Sequence, residues 1–215
     1  MTRALAGLLV AAGLLSAPPA PRAIEQPIDD PSLSQAIVLA RRGGAELDAF
    51  HRRYVTIVGD NTYDRVEIIS EFRRAVLIAA EQMKIDSRWD VNKARPALEP
   101  YRAVVSLVLW IKFPPQNMLV SAPDYGIVVY PDGVPSPGMP DDEIATLAPD
   151  AQQVTPLFLA GGGSTFVAPP GSGMSGLRVE AAFPSVSLPA GTVTIGLRLE
   201  GKRQRVLDLD LRAVR

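Results

Sequence analysis

The sequence predicts an α+β protein in which N-terminal helices pack against a C-terminal antiparallel β-sandwich. Two observations lead to this prediction. Helix-type spacing of apolar residues is confined to the first hundred positions, whereas thirteen of the twenty prolines lie between Pro114 and Pro189 and leave little room there for long helices. Between these regions, residues 101–113 place an apolar side chain at every second position, which is the period of a strand with one buried face.

The N-terminus predicts a targeting segment. Arg3 supplies a positive charge, and residues 4–17 form a run of apolar and small residues that is too short to span a bilayer. We expect residues 1–23 to be a cleaved signal peptide and the protein to be periplasmic or secreted, with no membrane span after cleavage. A short N-terminal anchor and an apolar first helix are the alternatives. The rest of the chain divides into a helical region, residues 24–100, and a β-sandwich domain, residues 101–215.

Charge and cysteine content exclude several classes of function. The whole chain has 22 basic and 23 acidic side chains, and loss of Arg3 and Arg22 with the signal leaves 20 and 23, a net charge of −3. A negative net charge argues against binding to nucleic acid phosphates as the main function. The chain has no cysteine, so an exported form must fold without disulfides.

Two helices are predicted before residue 60. Residues 31–42 follow Asp30, a candidate N-cap, and begin with a proline, and a basic last turn and two glycines end them. Residues 47–58 carry apolar side chains at three- and four-residue spacing, which predicts a second helix. The β-branched run at residues 55–58 also suits a strand.

The longest predicted helix runs from Thr62 to Ile85, with apolar residues on one side and charged residues on the other. We expect its apolar side to pack on the strand at residues 101–113. Residues 86–100, which contain two prolines, are the predicted connecting loop. Arg73 borders the apolar side and is expected to form a buried ion pair, with Asp60 or with an acid of the β-domain.

The C-terminal region predicts a series of short strands with turn signals between them. This pattern is typical of an antiparallel sandwich, Ig-like in general architecture. The clearest alternation occurs at residues 192–200 and 205–214, which predict a hairpin joined by residues 201–204. The other candidate strands are residues 117–121, 126–130, 155–160, 165–168 and 177–183.

The chain has almost no residues that could support histidine or thiol chemistry. His51 is the one histidine, so thiol nucleophiles, zinc–thiolate sites and multi-histidine metal sites cannot be built from one chain. No serine lies in a G-x-S-x-G elbow. We interpret His51 as a solvated or helix-terminal residue, and the sequence assigns no catalytic residue.

Two sequence patterns are weak evidence for a phosphate-binding or a calcium-binding site. Residues 171–176 match G-x-G-x-x-G, but a predicted strand follows them where phosphate binding requires a helix, so we interpret them as a loop. Asp141, Asp142 and Glu143 offer oxygen ligands for calcium, yet their spacing matches no EF-hand. The sequence therefore predicts neither a cofactor nor a metal site.

A few apolar residues indicate an interaction surface. They lie outside the main apolar side of the predicted helix, on the second face of the central strand, or in a proline-containing turn. Coverage by another helix or strand is the simpler interpretation, and contact with a second copy or another envelope protein is the alternative. These residues are Val66, Leu77, Ile78, Trp110 and Tyr125.

The leading functional hypothesis is an exported, non-catalytic protein that binds another protein or a polymer of the cell envelope. It rests on the scarcity of catalytic groups and on the excess apolar positions. One alternative is a hydrolase that uses aspartate or glutamate alone on an envelope or extracellular polymer. The other is a structural protein that forms homo-oligomers.

Overall fold

The computed structural model describes residues 27–114, 121–136, 138–160, 163–165, 173–212 and 214. The predicted signal peptide and most of the predicted strands 117–121 and 165–168 lie outside these ranges. None of the helices in the described ranges is long and apolar enough to cross a membrane. The helices are α1 (Asp30–Arg42), α2 (Gly44–Arg52), α3 (Glu71–Gln82) and α4 (Val91–Leu98). The strands are β1 (Val55–Ile57), β2 (Tyr63–Ile69), β3 (Val104–Lys112), β4 (Tyr125–Tyr130), β5 (Ala151–Ala160), β6 (Gly163–Thr165), β7 (Met174–Pro184), β8 (Thr192–Leu199) and β9 (Lys202–Asp210).

The strands form two antiparallel sheets, so the protein is of mixed α+β class, as predicted. The larger sheet has the order β1-β2-β3-β7-β5-β6, and the smaller sheet has the order β4-β8-β9. β3 pairs with β2 on one side and with β7 on the other, which confirms the central strand predicted at residues 101–113. One apolar cluster takes buried side chains from both sheets, including Leu107 of β3 and Ile195 of β8.

A second apolar cluster lies among the helices. Its buried side chains come from α1, α3, α4 and Trp89, and include Ile37, Phe72 and Leu98. The apolar side of α3 is therefore covered by α1 and α4, and the expectation that it packs on β3 is not met. α3 reaches the larger sheet instead through the polar contacts of Arg73 and Arg74.

The helix predicted from Thr62 to Ile85 is wrong over its first part. β2 occupies that part, and α3 begins only at Glu71. Val66 and Ile68 are buried at two-residue spacing, and pairing with β1 and β3 stabilises a strand there. Ser70 separates the two elements, because its hydroxyl oxygen accepts a hydrogen bond from the backbone N–H of Arg73 at 3.2 Å and caps α3.

The region predicted as a loop, residues 86–100, contains α4. Asp90 caps this helix by accepting a hydrogen bond from the backbone N–H of Lys93 at 3.1 Å. Pro96, one of the two prolines that favour a loop in the sequence, lies inside the helix. Burial of Leu98 in the helical cluster, together with the cap, outweighs the hydrogen bond that the proline removes.

Residues 47–58 contain both the helix and the strand that their sequence pattern suits. α2 ends at Arg52, and the β-branched run contributes β1. Because β1 and β2 join the larger sheet, residues 24–100 are not purely helical. The domain boundary at residue 100 stays a prediction.

The C-terminal hairpin is confirmed, with a shorter turn than predicted. Glu200 and Gly201 have φ values of 50° and 76°, and Leu199 lies opposite Lys202. Positive φ at both central residues is the requirement of a two-residue turn that matches the twist of the strands. β9 therefore begins at Lys202 and ends at Asp210. The predicted strands at residues 126–130, 155–160, 177–183 and 192–200 are confirmed as β4, β5, β7 and β8.

Candidate functional site

The outer face of the larger sheet, on the side away from the shared core, carries charged and aromatic side chains. β2, β3 and β7 alternate between residues buried in the core and residues on this outer face. In register, Arg65 of β2 lies opposite Trp110 of β3, and Trp110 lies opposite Arg178 of β7. We call these three residues the arginine–tryptophan row.

Exposure rises along β3 from α3 towards this row. At the covered end, the guanidinium of Arg74 donates to the hydroxyl of Ser106 at 2.9 Å, and Ser106 is 3% exposed. Trp110 is half-buried, and the side chain of Lys112, one step further, is 64% exposed. α3 therefore closes one end of the outer face and leaves the arginine–tryptophan row at the open end.

Two guanidinium groups hold the indole of Trp110 in place. The Cζ of Arg65 lies 4.3 Å from the ring centroid, and the Cζ of Arg178 lies 6.0 Å from it. Cation–π attraction acts over distances up to about 6 Å. The three side chains therefore form a preorganised unit across three neighbouring strands.

Two glutamates on the outer face are neutralised by arginines. Each glutamate accepts hydrogen bonds from one arginine of the row and from one arginine of α3. Burial by itself raises the pKa of both carboxyls, but the arginines outweigh it and the pKa of each is lowered. Both side chains are ionised at neutral pH. The pairs are Glu67 with Arg65 (3.0 Å) and Arg73 (2.7 Å), and Glu180 with Arg74 (2.7 Å) and Arg178 (2.5 Å).

Basic side chains outnumber acidic ones on this face. The third carboxylate, Asp64, pairs with Lys112 and with Arg65, and their hydrogen bonds lower its pKa. Five basic and three acidic side chains leave an excess of two positive charges, whereas the whole chain has a formal net charge of −1. The basic members are Arg65, Arg73, Arg74, Lys112 and Arg178, and the acidic members are Asp64, Glu67 and Glu180.

Three nitrogen atoms at this side of the protein are buried and find no hydrogen-bond partner among the described residues. They are Nε1 of Trp110, Nε of Arg73 and Nδ1 of His51. His51 lies in the last turn of α2, which agrees with its interpretation as a helix-terminal residue. Burial and the charge of Arg73 lower its pKa, so the imidazole is neutral at pH 7.

The structure brings only one of the predicted interaction residues to this face. Trp110 is at its centre, whereas Val66 and Tyr125 are 0% and 6% exposed and belong to the shared core. Leu77 and Ile78 are half-buried on α3, and Ile78 packs against the helical cluster. Arg65 and Arg178, the other members of the row, were not singled out in the sequence, because a single arginine within a strand pattern carries no signal of its own.

Glu71 is a buried carboxyl with a structural position. It lies at a cleft of about 150 Å³ that Leu33 and Leu98 also line, and burial raises its pKa. Its two oxygens accept hydrogen bonds from the backbone N–H groups of Ile28 at 3.3 Å and Ala103 at 3.2 Å. Glu71 therefore fixes the chain at both places and is not free to transfer a proton.

The two weak motifs gain no support from the described residues. Asp141 accepts a hydrogen bond from the backbone N–H of Arg203 at 3.1 Å, which ties the acidic loop to β9. No group of three or more metal-ligating side chains occurs in the part of the chain that the structure describes. The second half of the G-x-G-x-x-G stretch leads into β7, which begins at Met174, and not into a helix.

No protein-family model, curated protein or solved structure matches this chain. Its function must therefore be inferred from the outer face itself. That face combines a fixed aromatic centre, an excess of positive charge and one open end. These properties suit binding of an anionic partner better than bond cleavage.

The ion pairs of this face make stability depend on pH. The pKa of Glu180 is lower in the folded protein than in the unfolded chain. Its contribution to the free energy of unfolding is therefore present above about pH 4.3 and is lost as the pH falls below that value. Glu67 acts in the same direction. Glu71, with a raised pKa, acts in the opposite direction, since its contribution is lost as the pH rises.

We therefore expect the free energy of unfolding to fall between about pH 5 and about pH 3. The Glu180→Gln variant should lose less stability over this interval than the parent, since it removes one of the carboxyls whose pKa is lowered by folding. Denaturant titrations at each pH measure both curves. Equal losses in the variant and the parent would contradict the assignment.

Proposed function

We propose that the protein is an exported, non-catalytic interaction protein of the cell envelope that binds its partner at the open end of the outer face. The arginine–tryptophan row is the observation that carries this proposal. Tryptophan and arginine are the residue types that most often dominate the energy of protein interfaces. Here they are adjacent, held in place and partly accessible. Export is supported by the signal-like pattern of residues 1–23.

The same proposal includes an Ig-like sandwich as the scaffold, in which the two sheets face each other. Their shared apolar cluster supports this arrangement. Hydrogen bonds between Gln152 of β5 and two residues of β4 support it as well. The side-chain oxygen of Gln152 accepts from the backbone N–H of Ile127, and its side-chain nitrogen donates to the carbonyl of Tyr125, both at 3.1 Å. A second link between the two sheets is the ion pair of Arg205, in β9, with Asp60, in the loop between β1 and β2.

A non-catalytic function fits the carboxylates better than hydrolysis does. Carboxylate-based hydrolysis needs one carboxyl that keeps its proton and a second that is free to act as base or nucleophile. Glu67 and Glu180 are both ionised and held by arginines, and Glu71 holds backbone groups. None of the three combines a proton with access to a substrate.

Site-directed photo-crosslinking tests the proposal, and the absence of cysteine makes it simple. A photo-crosslinker on cysteine at Gln153, an exposed residue opposite Glu180, would report on the outer face. The same label at Ile85, which is 85% exposed, is the matched control. We expect the Gln153 label, and not the Ile85 label, to capture one distinct protein from envelope extract, and Trp110→Ala to abolish capture.

Other results would count against the proposal. Equal capture at both positions would mean that the outer face has no special role. Capture of a second copy alone would favour the homo-oligomer. Turnover of an envelope polymer that carboxylate substitutions abolish would favour the hydrolase.

A further inference from the structure

We infer that the open end of the outer face binds an acidic protein segment, whose carboxylates are received by Arg65 and Arg178 on either side of Trp110. This inference rests on the proposed function and names the chemistry of its partner. It follows from the charge of the face, from the unused hydrogen-bond donors of its arginines and from the surroundings of its tryptophan.

The charge of the face selects an anion. An excess of two positive charges lies on the outer face of a chain whose formal net charge is −1, so the remaining side chains together carry −3. The excess comes from Arg73 and Arg74 of α3, because the three basic side chains nearer the open end are matched by the three carboxylates. The positive potential is thus local to this face. A partner with clustered aspartate or glutamate is attracted to this face and repelled by the rest of the surface.

The donors of the arginine–tryptophan row are only partly used. A guanidinium has five N–H groups. Within the described residues, Arg65 donates to Asp64 and Glu67, and Arg178 donates to Glu180. The remaining N–H groups lie on side chains that are 32% and 22% exposed. They can grip a carboxylate in the two-pronged manner that suits arginine.

The carboxylate oxygens of the two glutamates on this face are already taken. Both oxygens of Glu67 and both oxygens of Glu180 accept hydrogen bonds from arginines. The remaining N–H groups of Arg65 and Arg178, in contrast, have no acceptor among the described residues. A ligand for this face must therefore bring acceptors and needs few donors, which describes a carboxylate-rich peptide.

The surroundings of Trp110 argue against an acidic polysaccharide. A sugar ring stacks on a free aromatic face, but the guanidinium of Arg65 lies over this ring at 4.3 Å and that of Arg178 lies 6.0 Å from it. An arginine–aromatic unit of this kind is typical of the centre of a protein interface. We therefore assign the occupant to a protein segment.

Fluorescence of Trp110 gives a direct test. The chain has two tryptophans, and the indole of Trp89 has no hydrogen bond among the described residues, so Trp89→Phe leaves one reporter and breaks no indole hydrogen bond there. An oligo-glutamate peptide is the probe. We expect a saturable change in fluorescence at low salt, which weakens as the ionic strength rises.

The variant Arg65→Gln/Arg178→Gln should bind the probe at least about tenfold more weakly, because two charge-assisted contacts are lost. Arg42→Gln/Arg88→Gln removes the same charge from exposed positions on α1 and on the connection between α3 and α4, and is the matched control. It should bind like the parent. If the glutamine variant fails to fold, as judged by circular dichroism, Arg65→Lys/Arg178→Lys keeps the charge and should still bind more weakly than the parent.

Three results would overturn the inference. They are no saturable change with folded protein, equal weakening in the control variant, and tighter binding of polygalacturonate than of oligo-glutamate. Capture of a protein at Gln153 without any binding of oligo-glutamate would refute the acidic partner and leave the interaction function standing. Failure of both experiments would refute both.

Discussion

Replacing Gly176 by alanine is expected to destabilise the protein by about 3 kcal/mol. Gly176 lies opposite Lys112 where β7 pairs with β3. A Cβ on Gly176 would lie 3.2 Å from the carbonyl carbon of Ile111 and closer still to its oxygen. Because that oxygen belongs to the backbone of the central strand, it cannot move aside as the end of a flexible side chain can. The two strands must separate locally, and denaturant unfolding measures the loss.

Gly126→Ala is the matched control, since Gly126 is also a strand glycine. The nearest atom to its added Cβ is Oε1 of Gln152 at 3.5 Å, an ordinary van der Waals contact. We expect a change of no more than about 0.5 kcal/mol. Similar losses in the two variants would show that the close approach of β3 to β7 is not what requires glycine at position 176.

Arg73→Met is expected to cost about 3 kcal/mol, although methionine fills much of the same volume. Arg73 is 4% exposed and donates to the carboxylate of Glu67 and to the carbonyl of Ile68, both at 2.7 Å. Its guanidinium also lies 5.2 Å from the centroid of the Tyr54 ring. The substitution leaves the carboxylate of Glu67, whose side chain is only 15% exposed, with one arginine partner instead of two.

Arg42→Met provides the comparison, because Arg42 pairs with Glu46 while their side chains are 62% and 54% exposed. We expect its effect to stay within about 0.5 kcal/mol. Adding Glu67→Gln to Arg73→Met should recover part of the loss, since no half-paired carboxylate is then left behind and Arg65 keeps its pair with Asp64. Equal effects of the two arginine substitutions would mean that burial does not strengthen the pair of Arg73.

The same arginine shows how much of the site the sequence could predict. Its position beside the apolar side of α3 predicted a buried ion pair, and such a pair is present. The partner is Glu67, so both predicted partners are wrong: Asp60 pairs with Arg205 instead, and no acid of residues 101–215 pairs with Arg73 among the described residues. The sequence placed Glu67 on the polar side of one long helix, whereas the break at Ser70 puts it on β2 and turns α3 back towards it.

Several of the predicted interaction residues lie away from the outer face for a related reason. Val66 was interpreted on a helical wheel, but in β2 it points into the core with Ile68. The sequence places Tyr125 in a proline-containing turn, but it begins β4 and is buried. Trp110 was correctly placed on the second face of β3, because alternation along a single strand is a local property.

The sequence by itself determined the elements whose signals lie within a dozen residues. These include α1 with its basic end, although its cap is Asp29 and not the predicted Asp30, β3 with its alternating apolar side, and the C-terminal hairpin. Only the tertiary structure decided which strands are neighbours. Alternation tells on which side of a strand a residue lies, but not which strand lies beside it. Arg65, Trp110 and Arg178 are distant in the chain, and the long-range packing of the core brings them into one row.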